Sequence, residues 1–260
     1  MPQIAFDPEV HGFAFENSWE FDEAERQRLR DAFVTYLTWG GIVGAAAFRL
    51  TGAILFPLGI LALRNELESR LAPRFGLCGG MSFAVLDFYK AGRCIPRGQH
   101  RDDRPAPGTD MRDYIWKRQV DSVLSDGPTF LAWMTFLYHV RPGWPFHGGP
   151  RWLLTRSEEE WRRLKNFIDR DDPIPLGLVR ETENMFDNHQ VLAIGYEEAD
   201  ESHGTITLYD PNCPDQVSTI DLAFGQRQLG GWERCNRTVL RGFFCENYRF
   251  VEPPASIGET

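Results

Sequence analysis

Apolar positions fall into two textures along the chain. Up to about residue 172 they recur at three- and four-residue steps, the spacing of one helix face, and from Ile174 onward they alternate or form short runs between turn residues. The first texture predicts a helix over 23–39 with Leu29, Phe33, Tyr36 and Leu37 on one side. A charged helical run over 64–71 follows and is stopped by Pro73. Another helix spans about 78–91, where Met81, Ser82, Val85, Leu86 and Tyr89 share a face and Gly92 ends it. Two more cover about 110–124 and 129–140, separated by Gly127-Pro128. A last one follows the capping box of Ser157 and Glu160, with Trp161, Leu164 and Ile168 on its apolar face. Residues 4–21 alternate loosely as extended chain. The second texture predicts strands at 175–179, 189–196, 205–210, 216–222 and 239–250. Helices first and strands after is an α+β signature. The expectation is a single domain over 1–260 with two lobes, mainly helical over 1–172 and antiparallel β over 173–252, trailed by a loose tail.

One stretch, Gly40 to Leu63, is long and apolar enough to raise a membrane reading. Arg49 lies near its middle, Pro57 interrupts it and it holds five glycines, so two short buried or amphipathic helices are the favoured reading and no stable membrane insertion is expected. The N-terminus has neither a basic region nor an apolar run of the signal-peptide kind, and a cytoplasmic location is expected.

Composition narrows the partners. A formal net charge of −9 argues against nucleic acid or an anionic membrane as the main partner. The eight tryptophans and nineteen phenylalanines predict an aromatic core or groove. The five cysteines, at 78, 94, 213, 235 and 245, form no C-x-x-C pair, so neither a zinc site nor a full disulfide framework is expected, and no metal or cofactor is assigned. One or two disulfides among Cys94, Cys213, Cys235 and Cys245 stay open.

Candidate chemistry centres on Cys78. It sits in a glycine turn at a helix start, where free backbone N–H groups and the helix dipole favour a thiolate. A nucleophile needs a base, and of six histidines only His189 has a carboxylate in a suitable relation. The run 189–196 and the run 204–210 form a predicted hairpin. If it closes symmetrically, paired residue numbers sum to 399, so that His189 faces Asp210 on the same side of the sheet. A carboxylate there orients the imidazole and stabilises its charged form. Asn212 is the alternative orienting group.

The Gly-x-Cys-Gly-Gly turn running into a helix, the later Asn188-His189-x-Val191 and the Tyr209-Asp210-Pro211 strand end together resemble the papain-like cysteine peptidase superfamily, in its bacteriocin-processing and staphopain-like flavour. The resemblance covers roughly 70–91 and 173–212. It implies a papain-like α+β fold, an N-terminal helical lobe with a central Cys-bearing helix packed on a C-terminal antiparallel β-sheet. It further implies a thiol hydrolase with Cys78 as nucleophile, His189 as base and acid and Asp210 as orienting residue, acting on a peptide, protein or other amide or acyl substrate. Related acyl-transfer chemistries (deamidation, transglutamination) and a catalytically silent binding module are the alternatives. One departure from the family pattern is that no glutamine occurs between Glu66 and Leu77, where an oxyanion donor is expected. Asn17 and Asn65 are the remaining candidates for that role.

Overall fold

The computed structural model describes residues 2–28, 31, 74–138, 149–182, 187–225 and 227–258. The Gly40–Leu63 stretch, Asn65, the charged run 64–71 and most of the helix expected over 23–39 lie outside the described residues. Among those described, no helix is long and apolar enough to cross a membrane.

Contacts divide the chain into two units, one of residues 1–17 with 78–260 and the other of residues 18–77. In the second unit, β1 (Trp19–Glu20) pairs antiparallel with β2 (Arg74–Phe75). Asp22 and Glu25 cap each other there: the Glu25 N–H donates to Asp22 Oδ1 at 2.8 Å and the Asp22 N–H to Glu25 Oε2 at 3.2 Å, at the head of a helical run over 23–28.

The first unit holds a short helix α1 (Pro8–His11), then α2 (Cys78–Lys90), α3 (Asp110–Tyr138) and α4 (Gly149–Ile168). Six strands follow: β3 (Ile174–Arg180), β4 (His189–Glu198), β5 (His203–Tyr209), β6 (Val217–Phe224), β7 (Leu229–Glu233) and β8 (Thr238–Cys245). Each pairs antiparallel with the next, and β8 returns to pair with β3, which closes the sheet into a barrel. This overturns the expected papain-like arrangement of a helical lobe on an open antiparallel sheet. Two features of the sequence hide the closure. The β3–β8 pairs, such as Leu178 with Phe243, join residues sixty or more apart, and β7 reads Leu-Gly-Gly-Trp-Glu, where two glycines mask the strand pattern. Gly177 on β3 has a steric reason to be glycine, because a Cβ there would stand 2.3 Å from the Phe244 ring of β8.

Two helical expectations are also corrected. α3 runs through Gly127-Pro128 as one helix. A proline inside a helix removes the hydrogen bond to the carbonyl four residues back, here that of Leu124. α4 begins at Gly149-Pro150, ahead of Ser157, which is buried within the helix and does not cap it.

Helix α2 is the spine of this unit. Every residue from Gly79 to Phe88 is buried, as expected of a helix that is apolar nearly all round. Its one buried acid, Asp87, is fully satisfied: Oδ2 accepts from the Tyr114 hydroxyl at 2.8 Å and Arg118 Nε at 2.6 Å, and Oδ1 accepts from the Tyr248 hydroxyl at 2.7 Å and the Val251 N–H at 3.0 Å. That cluster ties α2 to α3 and to the chain after β8. At the other end α2 packs against β4, and Gly92, with φ of 64°, ends the helix in the left-handed conformation the sequence suggested. A second apolar cluster, Trp133, Met134, Leu153, Val179 and Phe244, seats α3 and α4 on the outside of β3 and β8.

Candidate active site

Cys78 is the first residue of α2 and His189 the first of β4. The packing of that helix on that strand brings the two together, close enough for the thiol and the imidazole to shift each other's titration. On its far side the imidazole Nε2 lies 2.7 Å from Asp210 Oδ1. Cys78 is partly exposed, whereas His189 and Asp210 are 4% and 2% exposed.

The hairpin that carries His189 and Asp210 differs from the symmetric one. Ala193 faces Leu208 and Leu192 faces Tyr209, a sum of 401, and a bulge between Ala193 and Gly195 shifts the remainder to 402. His189 is therefore displaced by two residues from the position directly opposite Asp210. A two-residue offset preserves the face, and diagonal neighbours on one face are still within reach of a long side chain. The His–Asp contact survives the wrong register for that reason.

Behind Asp210 runs a chain of three side-chain amides. Asn236 Nδ2 donates to Asp210 Oδ2 at 2.9 Å and to Glu233 Oε2 at 3.2 Å. Asn212 Nδ2 donates to Asn236 Oδ1 at 2.8 Å, and Asn17 Nδ2 donates to Asn212 Oδ1 at 3.0 Å. The Asn212 N–H also donates to Asp210 Oδ1 at 2.8 Å. The structure thus places Asn17 and Asn212 on the carboxylate side of the site, where they fix Asp210, and Asp210 itself holds the imidazole. A disulfide, Cys213–Cys235, joins the residues next to Asn212 and Asn236 and so clamps the two loops that supply the amides. Glu233 is held in turn by Arg180, whose Nε and Nη2 donate to its two oxygens at 2.8 and 2.5 Å.

The electrostatics follow from these contacts. Burial pushes the Cys78 thiol up, but the hydrogen bond to His189, its positive charge, the Gln190 backbone N–H and the Arg180 guanidinium outweigh burial and hold the thiol below its ordinary range. Burial disfavours charge on His189 as well, and the Asp210 carboxylate and the Cys78 sulfur reverse that, raising the imidazole to about 10. Burial likewise opposes the charge of Asp210, yet His189, the Asn212 N–H and Arg180 hold its carboxyl below the usual range. All three directions favour the charged forms: thiolate, imidazolium, carboxylate. Such a line can deliver a sulfur nucleophile and a proton from adjacent atoms.

Sequence reasoning did not single out three residues that bear on the site. Asn236 carried a signal, since Asn212-Cys213 and Cys235-Asn236 are mirror-image dipeptides and the bridged cysteines bring their asparagines together. Gln190 directly follows His189, and its Oε1 lies 3.9 Å from Cys78 Sγ. Glu246, next to Cys245 at the end of β8, reaches Gln190 from the other side. Of the remaining cysteines, Cys94 is exposed, and Cys245 is buried with its thiol pushed well above the ordinary range by burial and by Glu160. Among the described residues no three His, Cys, Asp or Glu side chains are grouped to hold a metal ion. No protein-family model, curated protein or solved structure matches this chain.

Proposed function

We propose that the chain is a thiol-dependent acyl-transfer enzyme, most simply a hydrolase of amide or peptide bonds. One observation carries the reading: a partly exposed cysteine at a helix start, beside a buried histidine whose Nε2 is 2.7 Å from a buried aspartate. The order Cys78, His189, Asp210 also resembles that of papain-like cysteine peptidases. That resemblance bears on the chemistry alone, since the barrel departs from the expected fold.

The Cys78 thiolate adds to the substrate carbonyl carbon, forming an S–C bond and moving the carbonyl electron pair onto oxygen. Collapse of that tetrahedral species breaks the C–N bond, and the departing nitrogen takes the imidazolium proton of His189. The resulting thioester is resolved by water, which gives a proton back to His189 as its oxygen bonds to the acyl carbon and the C–S bond breaks. A different second nucleophile in place of water would make the same site a transferase.

The test is the rate at which iodoacetamide alkylates Cys78, followed by peptide mass spectrometry from pH 5 to 9, in the wild type and in His189→Ala. Fast alkylation well below the range of an ordinary thiol, lost in the variant, is the expected result. A rate typical of a free cysteine and indifferent to His189→Ala overturns the proposal. Fast alkylation with no turnover of any amide, ester or peptide would favour a binding module on the same site.

A further inference from the structure

Gln190 approaches the sulfur without belonging to the Cys78–His189–Asp210 line. Successive strand residues point to opposite sides, so His189 and Gln190 leave β4 in different directions, and both reach Cys78. In the structure Gln190 Oε1 is 3.9 Å from Sγ, and Nε2 donates to Glu246 Oε1 at 2.5 Å. The amide lies against the start of α2, where a Cβ on Gly79 would stand 2.1 Å from Gln190 Oε1 and 2.4 Å from Ser122 Oγ. Only glycine leaves room for it.

Which end of the amide faces the sulfur is decided by its two neighbours. Glu246 is 1% exposed, and its second oxygen, Oε2, has no hydrogen-bond partner. A buried carboxylate with a bare oxygen is costly. Burial, with Asp126 on α3 and Cys78 on α2 as the nearby acidic groups, pushes this carboxyl well above its usual range. In its protonated form it has one O–H that needs an acceptor, and its bare oxygen is then a carbonyl oxygen. The acceptor within reach is the Gln190 carbonyl. The Cys78 thiolate, in contrast, offers only acceptor capacity and needs a donor. Both neighbours favour the amide with oxygen toward Glu246 and nitrogen toward sulfur, a half-turn about the last side-chain torsion that exchanges the two ends in place.

We propose that Gln190 is a catalytic residue: with its carbonyl held by the Glu246 carboxyl group, its side-chain NH2 faces the Cys78 sulfur and donates to the oxygen anion of the tetrahedral intermediate. The proposal rests on the thiol-acylation reading above. It supplies the donor that the segment before Cys78 lacks, from a residue on the histidine strand. Glu246 is the positioning residue of the pair.

Two probes separate this role from that of the Cys–His line. Iodoacetamide alkylates the sulfur at a saturated carbon and develops no oxyanion, whereas p-nitrophenyl acetate acylates it through one and releases coloured p-nitrophenolate. Gln190→Ala is expected to keep alkylation within about threefold and to slow acylation about a hundred- to a thousandfold, the usual cost of one oxyanion donor. Gln190→Met, of similar length and without polar atoms, is expected to do the same and guards against a collapse of the site around alanine. Glu246→Leu, which frees the amide, lowers the acylation-to-alkylation ratio, and Glu246→Gln, which restores a donor, recovers part of it. An unchanged ratio in Gln190→Ala and Gln190→Met overturns the proposal, as does an equal fall in both rates, while leaving the acylation reading intact. Slow alkylation of the wild type that ignores His189 removes that reading and the proposal with it.

Discussion

His189 Nε2 stands 2.7 Å from Asp210 Oδ1, which leaves Nδ1 as the nitrogen that meets Cys78. The imidazole is thus held at both ends, and its contribution can be read from the thiol it charges. At pH 6 an ordinary thiol is only about 0.3% ionised. His189→Ala is expected to slow iodoacetamide alkylation of Cys78 at that pH by about a hundredfold. Loss of the acid–base group should cost about 10²–10⁴ in turnover once a substrate is found.

The pH dependence follows from the same three groups. Thiolate forms as pH rises through the lowered pKa of Cys78, and the imidazolium persists until about pH 10. Acylation of Cys78 by p-nitrophenyl acetate should therefore begin to rise at lower pH than it does for an ordinary thiol. Turnover that depends on proton donation should fall as pH passes about 10. The linked stability runs in matching directions. The charge of His189 stabilises the fold fully below its unfolded value of about 6.5 and loses that contribution as pH rises through the folded value. The charge of Asp210 contributes above its unfolded value of about 3.9 and loses its contribution as pH falls through the lowered folded one. Urea unfolding at several pH values checks both limbs.

Removing the disulfide should loosen the site as well as the fold. Cys213 and Cys235 are separated by 22 residues, and closing a loop of that length is worth about 3 kcal/mol in the chain-entropy account. Cys213→Ser with Cys235→Ser should lower the unfolding free energy by roughly that much. The Asn212–Asn236–Asp210 contacts lose their clamp, so alkylation of Cys78 at pH 6 should slow in the folded double variant.

Asp87 is the expected weak point of the spine. Its contact with Arg118 is buried on both sides, with side-chain exposures of 0% and 1%. Asp87→Ala leaves the buried guanidinium with Asp121 as its one carboxylate partner and strips the Tyr114 and Tyr248 hydroxyls of the Asp87 acceptor, and the loss should be about 3–5 kcal/mol. A shift of the urea midpoint with an unchanged slope would show it.

Gly79→Ala tests the packing of the Gln190 amide from the other side. The added methyl meets Gln190 Oε1 and Ser122 Oγ at distances no Cβ tolerates, so the amide must move. Acylation of Cys78 should fall more than alkylation does, as for Gln190→Ala.

The parts of the site legible in the sequence were those with local causes. The helix from Cys78 showed through its apolar spacing and its glycine stop, and the His189 hairpin through two strand-like runs flanking a polar turn. Asp210 was reachable because face parity survives a two-residue slip. The bulge after Ala193 was not, since nothing in Leu192-Ala193-Ile194-Gly195 marks where a ladder breaks. Barrel closure rests on β3 meeting β8 across the whole length of the sheet, a pairing that no local pattern encodes. Asn236, Gln190 and Glu246 owe their places to that closure and to the helix packed beside it. Each reads from the sequence as an ordinary polar residue near a strand end.

A closed barrel has one further consequence for how a substrate is held. Many sheets grip an extended peptide by adding it as a new strand along an unpaired edge. Here β3 and β8, the outer strands of the run, hydrogen-bond to each other, so the barrel has no free ladder to lend to a visiting backbone. On the proposed reading, a substrate at Cys78 is then recognised by side chains and not by an added strand, and exchanging the side chains near the sulfur, with the barrel left alone, is the direct route to altering what the site accepts.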